Sequence, residues 1–146
     1  MKKIMNKVEF EKFLGKFEFR KYADIVSSGK HALFENKQAE GIGSGYVYLW
    51  VEKYQNKFTV VYVGKAGKTM RERCNEQVNG FRGGSKIGKN HSNNILKGIK
   101  AGKQYLVYAR KSRTGNVLGE SNISFCRVEE LAFIQKINPP WNSIKT

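Results

Sequence analysis

The stretch Gly45–Arg73, GYVYLWVEKYQNKFTVVYVGKAGKTMRER, decides the fold of this chain of 146 residues. It reads as two strands joined by a short turn, then a turn rich in Lys and Gly, then the opening of a helix. Side chains in a strand alternate between its faces. In the first strand Tyr46, Tyr48 and Trp50 share one face, and Val47, Leu49 and Val51 the other. In the second strand Phe58, Val60 and Tyr62 share a face, opposite Val61 and Val63. Paired as a hairpin, the strands can bring Tyr48 and Tyr62 to one face. The aliphatic face calls for helices packed on it. The tyrosine face, leading into Gly64-Lys65-Ala66-Gly67-Lys68, is where chemistry is expected. Tyr54-Gln55-Asn56-Lys57 fits a hairpin turn, although it lacks the Asn-Gly pair that marks the firmest ones.

Outward from this stretch, residues 7–27 carry Val8, Phe10, Phe13, Leu14, Phe17, Tyr22, Ile25 and Val26. Spacings of three and four predict two short helices broken near Gly15. They form either an arm for dimerisation or DNA contact, or a helical lid on the core. Gly41-Ile42-Gly43-Ser44-Gly45 then reads as a hinge, dividing the chain into an N-terminal helical arm, 1–43, and a second segment, 44–146. After Gly64 a helix starts near Thr69, which can cap it. On that helix Arg73 and Gln77 share a face. The 12 residues Asn79–Asn90 read as a flexible basic loop, whose Phe81 and Arg82 could reach a base step or a phosphate. His91–Ala101 reads as a helix stopped by Gly102, Gln104–Arg110 as a third strand, and Lys111–Asn122 as a polar loop. A last helix, Phe125–Ile137, ends at Asn138-Pro139-Pro140-Trp141-Asn142, where proline forbids its continuation. The fold class is therefore α+β: a small three-stranded sheet, antiparallel or mixed, flanked by helices.

Glu129 and Glu130 form the one acidic pair late in the chain. Residues three, four and seven beyond Glu130 are Phe133, Ile134 and Ile137, so Glu130 looks inward and Glu129 sideways or outward. An inward carboxylate needs a cation, either an Arg or a divalent metal. A rotated helix would offer Glu129 instead.

Composition limits the partners. Lys and Arg number 27 against 12 Asp and Glu, a net charge of +15. The excess is uneven: between Lys53 and Arg113 there are 15 basic residues and only Glu72 and Glu76. Such a surface attracts polyanions. Nucleic acid is favoured over a membrane, because the basic residues are spread over strands and loops rather than one helical face. Lys65, Lys68, Arg71, Phe81, Arg82, Lys86, Lys89 and His91 are the candidate contacts. No apolar run reaches the roughly 20 residues of a membrane span, and no signal-peptide core opens the chain. Cys74 and Cys126 form neither a disulfide framework nor, with His31 and His91, a zinc pattern. They read as reduced thiols of a cytoplasmic protein.

Taken together these residues resemble the GIY-YIG nuclease superfamily. Tyr46-Val47-Tyr48 stands at its first motif and Tyr62-Val63-Gly64 at its second. Arg73 follows eleven residues after Tyr62, and Glu130 lies twelve residues before Asn142 of Pro-Pro-Trp-Asn. The resemblance covers about residues 44–143. It implies a compact sheet flanked by helices, and hydrolysis of DNA phosphodiesters with one Mg²⁺ (or Mn²⁺) per site. Tyr48 would activate or position the attacking water and Tyr62 would assist. Arg73 would hold the phosphate, Glu130 the metal, and Asn142 would support the site. A tyrosine titrates near pH 10, so its use as a base requires nearby positive charge from Lys65, Lys68 or the metal. The pattern departs in two places. Tyr46 replaces the family's Gly, and Gln77 stands where His or Tyr is usual. Gln donates hydrogen bonds but cannot shuttle a proton. The step then falls to other groups, or the copy is slow or inactivated. His91 lies near where some members contact phosphate. The chain most resembles small type II restriction endonucleases cutting double-stranded DNA as homodimers or higher oligomers. The alternatives are a low-specificity phage or mobile-element endonuclease and a catalytically impaired DNA-binding copy.

Overall fold

In a computed structural model, residues 3–41 and 43–142 are described. Ile42 of the predicted hinge and residues 143–146 of the predicted second segment lie outside the described residues. The chain runs β1 (Ile4–Asn6), α1 (Lys7–Phe17), β2 (Arg20–Ser27), β3 (Ala32–Glu35), β4 (Tyr46–Tyr54), β5 (Lys57–Ala66) and α2 (Met70–Asn79). A wide helical turn, Gly80–Gly84, leads into α3 (Lys86–Lys100), β6 (Gln104–Lys111), β7 (Thr114–Val117), β8 (Glu120–Ser124) and α4 (Cys126–Ile137).

The α+β class holds, but the sheet is larger than the three strands expected. Six strands, all antiparallel, lie in the order β1-β5-β4-β6-β2-β3. The three expected strands, β4, β5 and β6, are neighbours near its centre. The additional strands come from the segment read as a helical arm. That segment holds one helix, not two. Asn6 and Glu9 close a capping box at its start, and it runs through Gly15 to a left-handed Glu18 (φ 62). Tyr22, Ile25 and Val26 lie on β2. A register shift between Lys21 and Ala23 turns Tyr22 and Ala23 both inward, which gave β2 an apolar spacing that passes for helical.

The β4–β5 hairpin closes on Gln55 (φ 50) and Asn56 (φ 59), the two left-handed residues of a type I′ turn. Its first strand alternates as read. Tyr46, Tyr48 and Trp50 face one core, and Val47, Leu49 and Val51 face another with Phe10, Phe13, Phe133, Ile134 and Ile137. The second strand does not alternate throughout. Trp50 pairs with Tyr62 and Val51 with Val60, leaving Val61 as an extra residue. Phe58, Val60 and Val63 therefore pack on the aliphatic side, while Val61 and Tyr62 lie on the tyrosine side. A simple alternation would have put Tyr62 with Phe58. The bulge is what brings it to Tyr48.

Two loop expectations are also corrected. Residues 79–90 are largely helical: Ser85 caps α3 by accepting from Gly88 N, so His91 lies within the helix rather than opening it. The polar loop 111–122 contains the antiparallel ribbon β7–β8, whose polar residues carried no apolar alternation to reveal it. No helix among the described residues is long and apolar enough to cross a membrane. Cys74 and Cys126 are free and buried.

Candidate active site

Tyr48 stands at the middle of β4 with no solvent exposure. Its ring lies over Gly64, the residue opposite it on β5. A Cβ on Gly64 would come within 2.2 Å of the Tyr48 hydroxyl, so the glycine of the second motif makes room for the tyrosine of the first. The hydroxyl oxygen accepts two hydrogen bonds from α2: Arg73 Nε at 3.3 Å and Gln77 Nε2 at 2.7 Å. One helical turn separates the two donors, as their shared face required. Burial pushes the Tyr48 phenol well above its ordinary pKa. The nearby Tyr62 adds to the rise and the Arg73 guanidinium opposes it.

Tyr62 is only partly buried, with its ring centroid 6.2 Å from that of Tyr48 and 4.5 Å from that of Trp50. Burial raises its pKa, Arg73 draws it down, and the Glu130 carboxylate raises it again. Tyr62, Arg73 and Glu130 therefore lie close enough to influence one another electrostatically.

Two residues at the end of the chain hold β5 in its bulged shape. The Trp141 backbone N–H donates to the Val61 carbonyl at 2.9 Å. Asn142 pairs with Val63 as a neighbouring strand would: its Oδ1 accepts from Val63 N at 2.9 Å, and its Nδ2 donates to Val63 O at 2.8 Å. Asn142 is thus a buried clamp beside Tyr62, not a group lining the open pocket.

Glu129 and Glu130 are separated by their partners. Glu129 accepts from Arg110 Nη2 at 3.2 Å and from Arg113 N at 3.1 Å, which ties α4 to β6. Glu130 is left facing a cavity of about 350 Å³ lined by Lys65, Gly67, Arg73, Glu76 and Glu130. Burial raises the Glu130 pKa against the pull of Lys65, Arg73 and Arg127. A second cavity of about 340 Å³ shares Gly67, Arg73 and Glu76 with it and adds Ala66, Lys68, Thr69 and Glu72. Among the described residues no three His, Cys, Asp or Glu groups gather as a closed metal cage. Glu130 and Glu76, on the same cavity, are the carboxylates available to a divalent ion, of which Mg²⁺ takes one or two together with waters and substrate phosphate.

The predicted nucleic-acid contacts divide. Lys65 and Lys68 line the two cavities, while Arg71, Arg82, Lys86 and Lys89 are exposed. Phe81 is not available to a base step: it is 3% exposed and packs on Phe34 and Trp50 at 5.6 and 5.8 Å. His91 is not a surface phosphate contact either. It is buried among Trp50, Tyr62 and Trp141, with Nε2 3.2 Å from the Trp141 carbonyl, and burial lowers its pKa. It supports Tyr62 from behind.

Sequence reasoning missed Glu40. Its two carboxylate oxygens accept from Met70 N at 2.5 Å and Arg71 N at 3.0 Å, capping α2 while Thr69 accepts from Glu72 N. A carboxylate there is favoured by the helix dipole and fixes the helix that carries Arg73 and Gln77. Thirty residues separate Glu40 from its partners, so no local pattern could reveal it. Glu76 had a signal: it lies three residues from Arg73, on the same helical face.

No protein-family profile matches the chain, and neither does any curated protein sequence. Solved structures do. A mutant of bacteriophage T4 EndoII is 24% identical, covering 90% of this chain and 97% of its own, with a TM-score of 0.65. The restriction endonuclease HPY188I, solved in complex with product DNA, is 19% identical, covering 97% of this chain and 87% of its own, with a TM-score of 0.49. At 24% identity, the EndoII likeness is one of fold.

Proposed function

We propose that this chain is a DNA endonuclease of the GIY-YIG type, dependent on Mg²⁺ (or Mn²⁺), that cuts double-stranded DNA as a homodimer. The observation that carries the reading is the convergence of Arg73 and Gln77 on the Tyr48 hydroxyl, beside a cavity where Lys65 and Arg73 face Glu76 and Glu130. The resemblance of the motifs, the fold shared with EndoII and the net charge of +15 support it. A dimer follows from stoichiometry, since one site handles one phosphate and a duplex has two strands.

The residues divide the work as follows. The scissile phosphate binds with its oxygens toward the guanidinium of Arg73, with Lys65 adding positive charge. Arg73 neutralises charge as it grows in the transition state, where preorganised donors do most. Water attacks phosphorus in line with O3′; the P–O3′ bond breaks as the new P–O bond forms, and O3′ leaves as an alkoxide that takes a proton from solvent water. The attacking water's proton goes to the Tyr48 oxygen, whose phenolate is stabilised by hydrogen bonds from Arg73 and Gln77. Tyr62 orients the water. A divalent ion held by Glu130 would supply Lewis-acid charge at the phosphate and lower the pKa of bound water. Gln77 contributes through its N–H donor, a task that needs no titratable group.

The test is incubation of the purified chain with phage DNA and Mg²⁺, beside Gln77→His and Glu130→Ala. A discrete fragment ladder, lost in Glu130→Ala, is expected; a smear would assign low specificity. Cutting by Gln77→His alone would mark this chain as an impaired copy. No cutting by any of the three would sink the nuclease reading.

A further inference from the structure

The β7–β8 ribbon breaks two local rules at one residue, and the chain itself gains from neither. Leu118 is 98% exposed. It also sits at φ 51, in the left-handed region where an L side chain crowds the following carbonyl. Val117 pairs with Glu120, so Leu118 and Gly119 (φ 83) make a two-residue turn of the kind that Asn-Gly fills at least cost. Asn at 118 would remove both penalties. A strained apolar tip, with Val117 and Ile123 of the same ribbon also exposed, points to a contact outside the chain.

The base of the ribbon is fixed, so its tip is aimed. A Cβ on Gly115 would stand 2.7 Å from the Phe125 ring, and one on Gly45 would strike Ser124. The Phe125 N–H donates to the Arg113 carbonyl at 2.9 Å. The ribbon leaves the sheet at the end where the cavity lies: Lys111 of β6 pairs with Tyr46, and Tyr46 with Ala66. Its second strand runs directly into α4, which carries Glu130. Lys111, Arg113 and Arg127 surround its base, and Glu120 is its one acid. Thr114, Asn116, Ser121 and Asn122 give it uncharged donors and acceptors.

We infer that this ribbon enters a groove of duplex DNA beside the phosphate held at Arg73, with Leu118 pressed against the base stack. The inference rests on the nuclease reading above and assigns a positioning and specificity element to it. Two-stranded ribbons enter either groove of duplex DNA, and leucine is among the side chains that minor-groove proteins insert at base steps to kink DNA. A second copy of the chain fits this face less well. It would bring two sets of Lys111, Arg113 and Arg127 together, where like charges repel.

The experiment compares the full chain with Leu118→Asn, a substitution that favours the turn while removing the wedge. Duplexes carry 2-aminopurine beside the mapped cut, and Ca²⁺ replaces Mg²⁺ during binding. The unaltered chain is expected to raise the fluorescence as a base unstacks. Leu118→Asn should bind about tenfold more weakly, in line with the loss of one buried Leu. It should leave the fluorescence flat and relax the cutting pattern in Mg²⁺, at an equal or higher Tm. Unchanged affinity, fluorescence and pattern in Leu118→Asn would overturn the inference alone, provided the unaltered chain cuts. Loss of self-association in Leu118→Asn with intact DNA binding would overturn it in favour of a second copy. An unaltered chain that neither binds nor cuts duplex DNA would defeat the nuclease reading and this inference with it.

Discussion

The two faces of the central sheet are built from the same strands and do different work. On one, Val47, Leu49, Val51 and Val63 are wholly buried against the phenylalanines of α1 and the apolar face of α4. On the other, side chains equally buried are polar: Tyr48 has no exposure, and His91, Ser92 and Asn142 are nearly as enclosed. Burying a polar group without a partner is costly. The tyrosine face meets that cost with specific bonds, from Arg73 and Gln77 to Tyr48, from the Ala32 N–H to Ser92 Oγ, and from Asn142 Nδ2 to the Val63 carbonyl. The aliphatic face stabilises by area and shape. The tyrosine face stores an arrangement of charge and donors. Mutations on the two faces should therefore separate stability from activity.

The largest effect is expected from Arg73→Ala. Removing a donor aimed at transition-state charge should lower kcat on duplex DNA about 10²–10³-fold, with a far smaller loss of stability. Leu49→Ala is its counterpart across the sheet. It should cost about 2–5 kcal/mol of unfolding free energy while the activity per folded molecule stays within about threefold. Denaturant melts alongside single-turnover rates check both. If Leu49→Ala lost activity as Arg73→Ala does, the division of labour would be wrong.

Gly64→Ala probes the contact between the two motifs. Its Cβ would stand inside the space of the Tyr48 hydroxyl, so the phenol must swing off Arg73 and Gln77. Activity should fall by about a hundredfold, in keeping with the loss from misplacing a catalytic group by an ångström. Asn142→Ala removes two buried hydrogen bonds to Val63 and should destabilise by about 1–3 kcal/mol. Its activity loss should be milder, because Trp141 still holds the bulge. Glu40→Gln has the smallest predicted effect. It keeps one acceptor on the start of α2 but loses the charge, costing about 0.3–1 kcal/mol, readable as a Tm shift that added salt reduces.

How far the sequence could be read follows the same division. The β4 alternation, the Thr69 cap, the shared face of Arg73 and Gln77 and the prolines ending α4 are local signals, and each stands in the structure; Glu129, read as facing sideways or outward, is instead only 15% exposed and bound to Arg110. What escaped depended on partners distant in sequence or on irregular backbone. The bulge at Val61 is stabilised by Trp141 and Asn142 from the other end of the chain, so simple alternation put Phe58 and Val60 beside Tyr62. A second irregularity, between Lys21 and Ala23, hid β2 inside a helical spacing. The segment 79–90 looked like a loop because its glycines are frequent. Yet Gly88 touches Gly80 so closely that a Cβ would lie 2.6 Å away; these glycines serve packing rather than flexibility. A basic, glycine-rich loop implies exposure for Phe81, and the family resemblance implies a phosphate contact for His91, yet both side chains are buried. Both belong to the aromatic support of the tyrosine face.

The account rests on Tyr48 accepting a proton in spite of its burial. Burial raises its pKa, so the phenolate fraction is small at neutral pH and grows tenfold with each pH unit below that value. The raised Glu130 pKa works in the same direction at the acid end, since a protonated carboxyl cannot hold a cation. The decisive measurement is the pH dependence of single-turnover DNA cleavage by the unaltered chain and by Tyr48→Phe. The account predicts a rate for the unaltered chain that climbs with pH through neutrality, and a Tyr48→Phe rate at least about a hundredfold lower that has lost the climb at unchanged fold. Tyr48→Phe cutting at full rate with the same profile would contradict it.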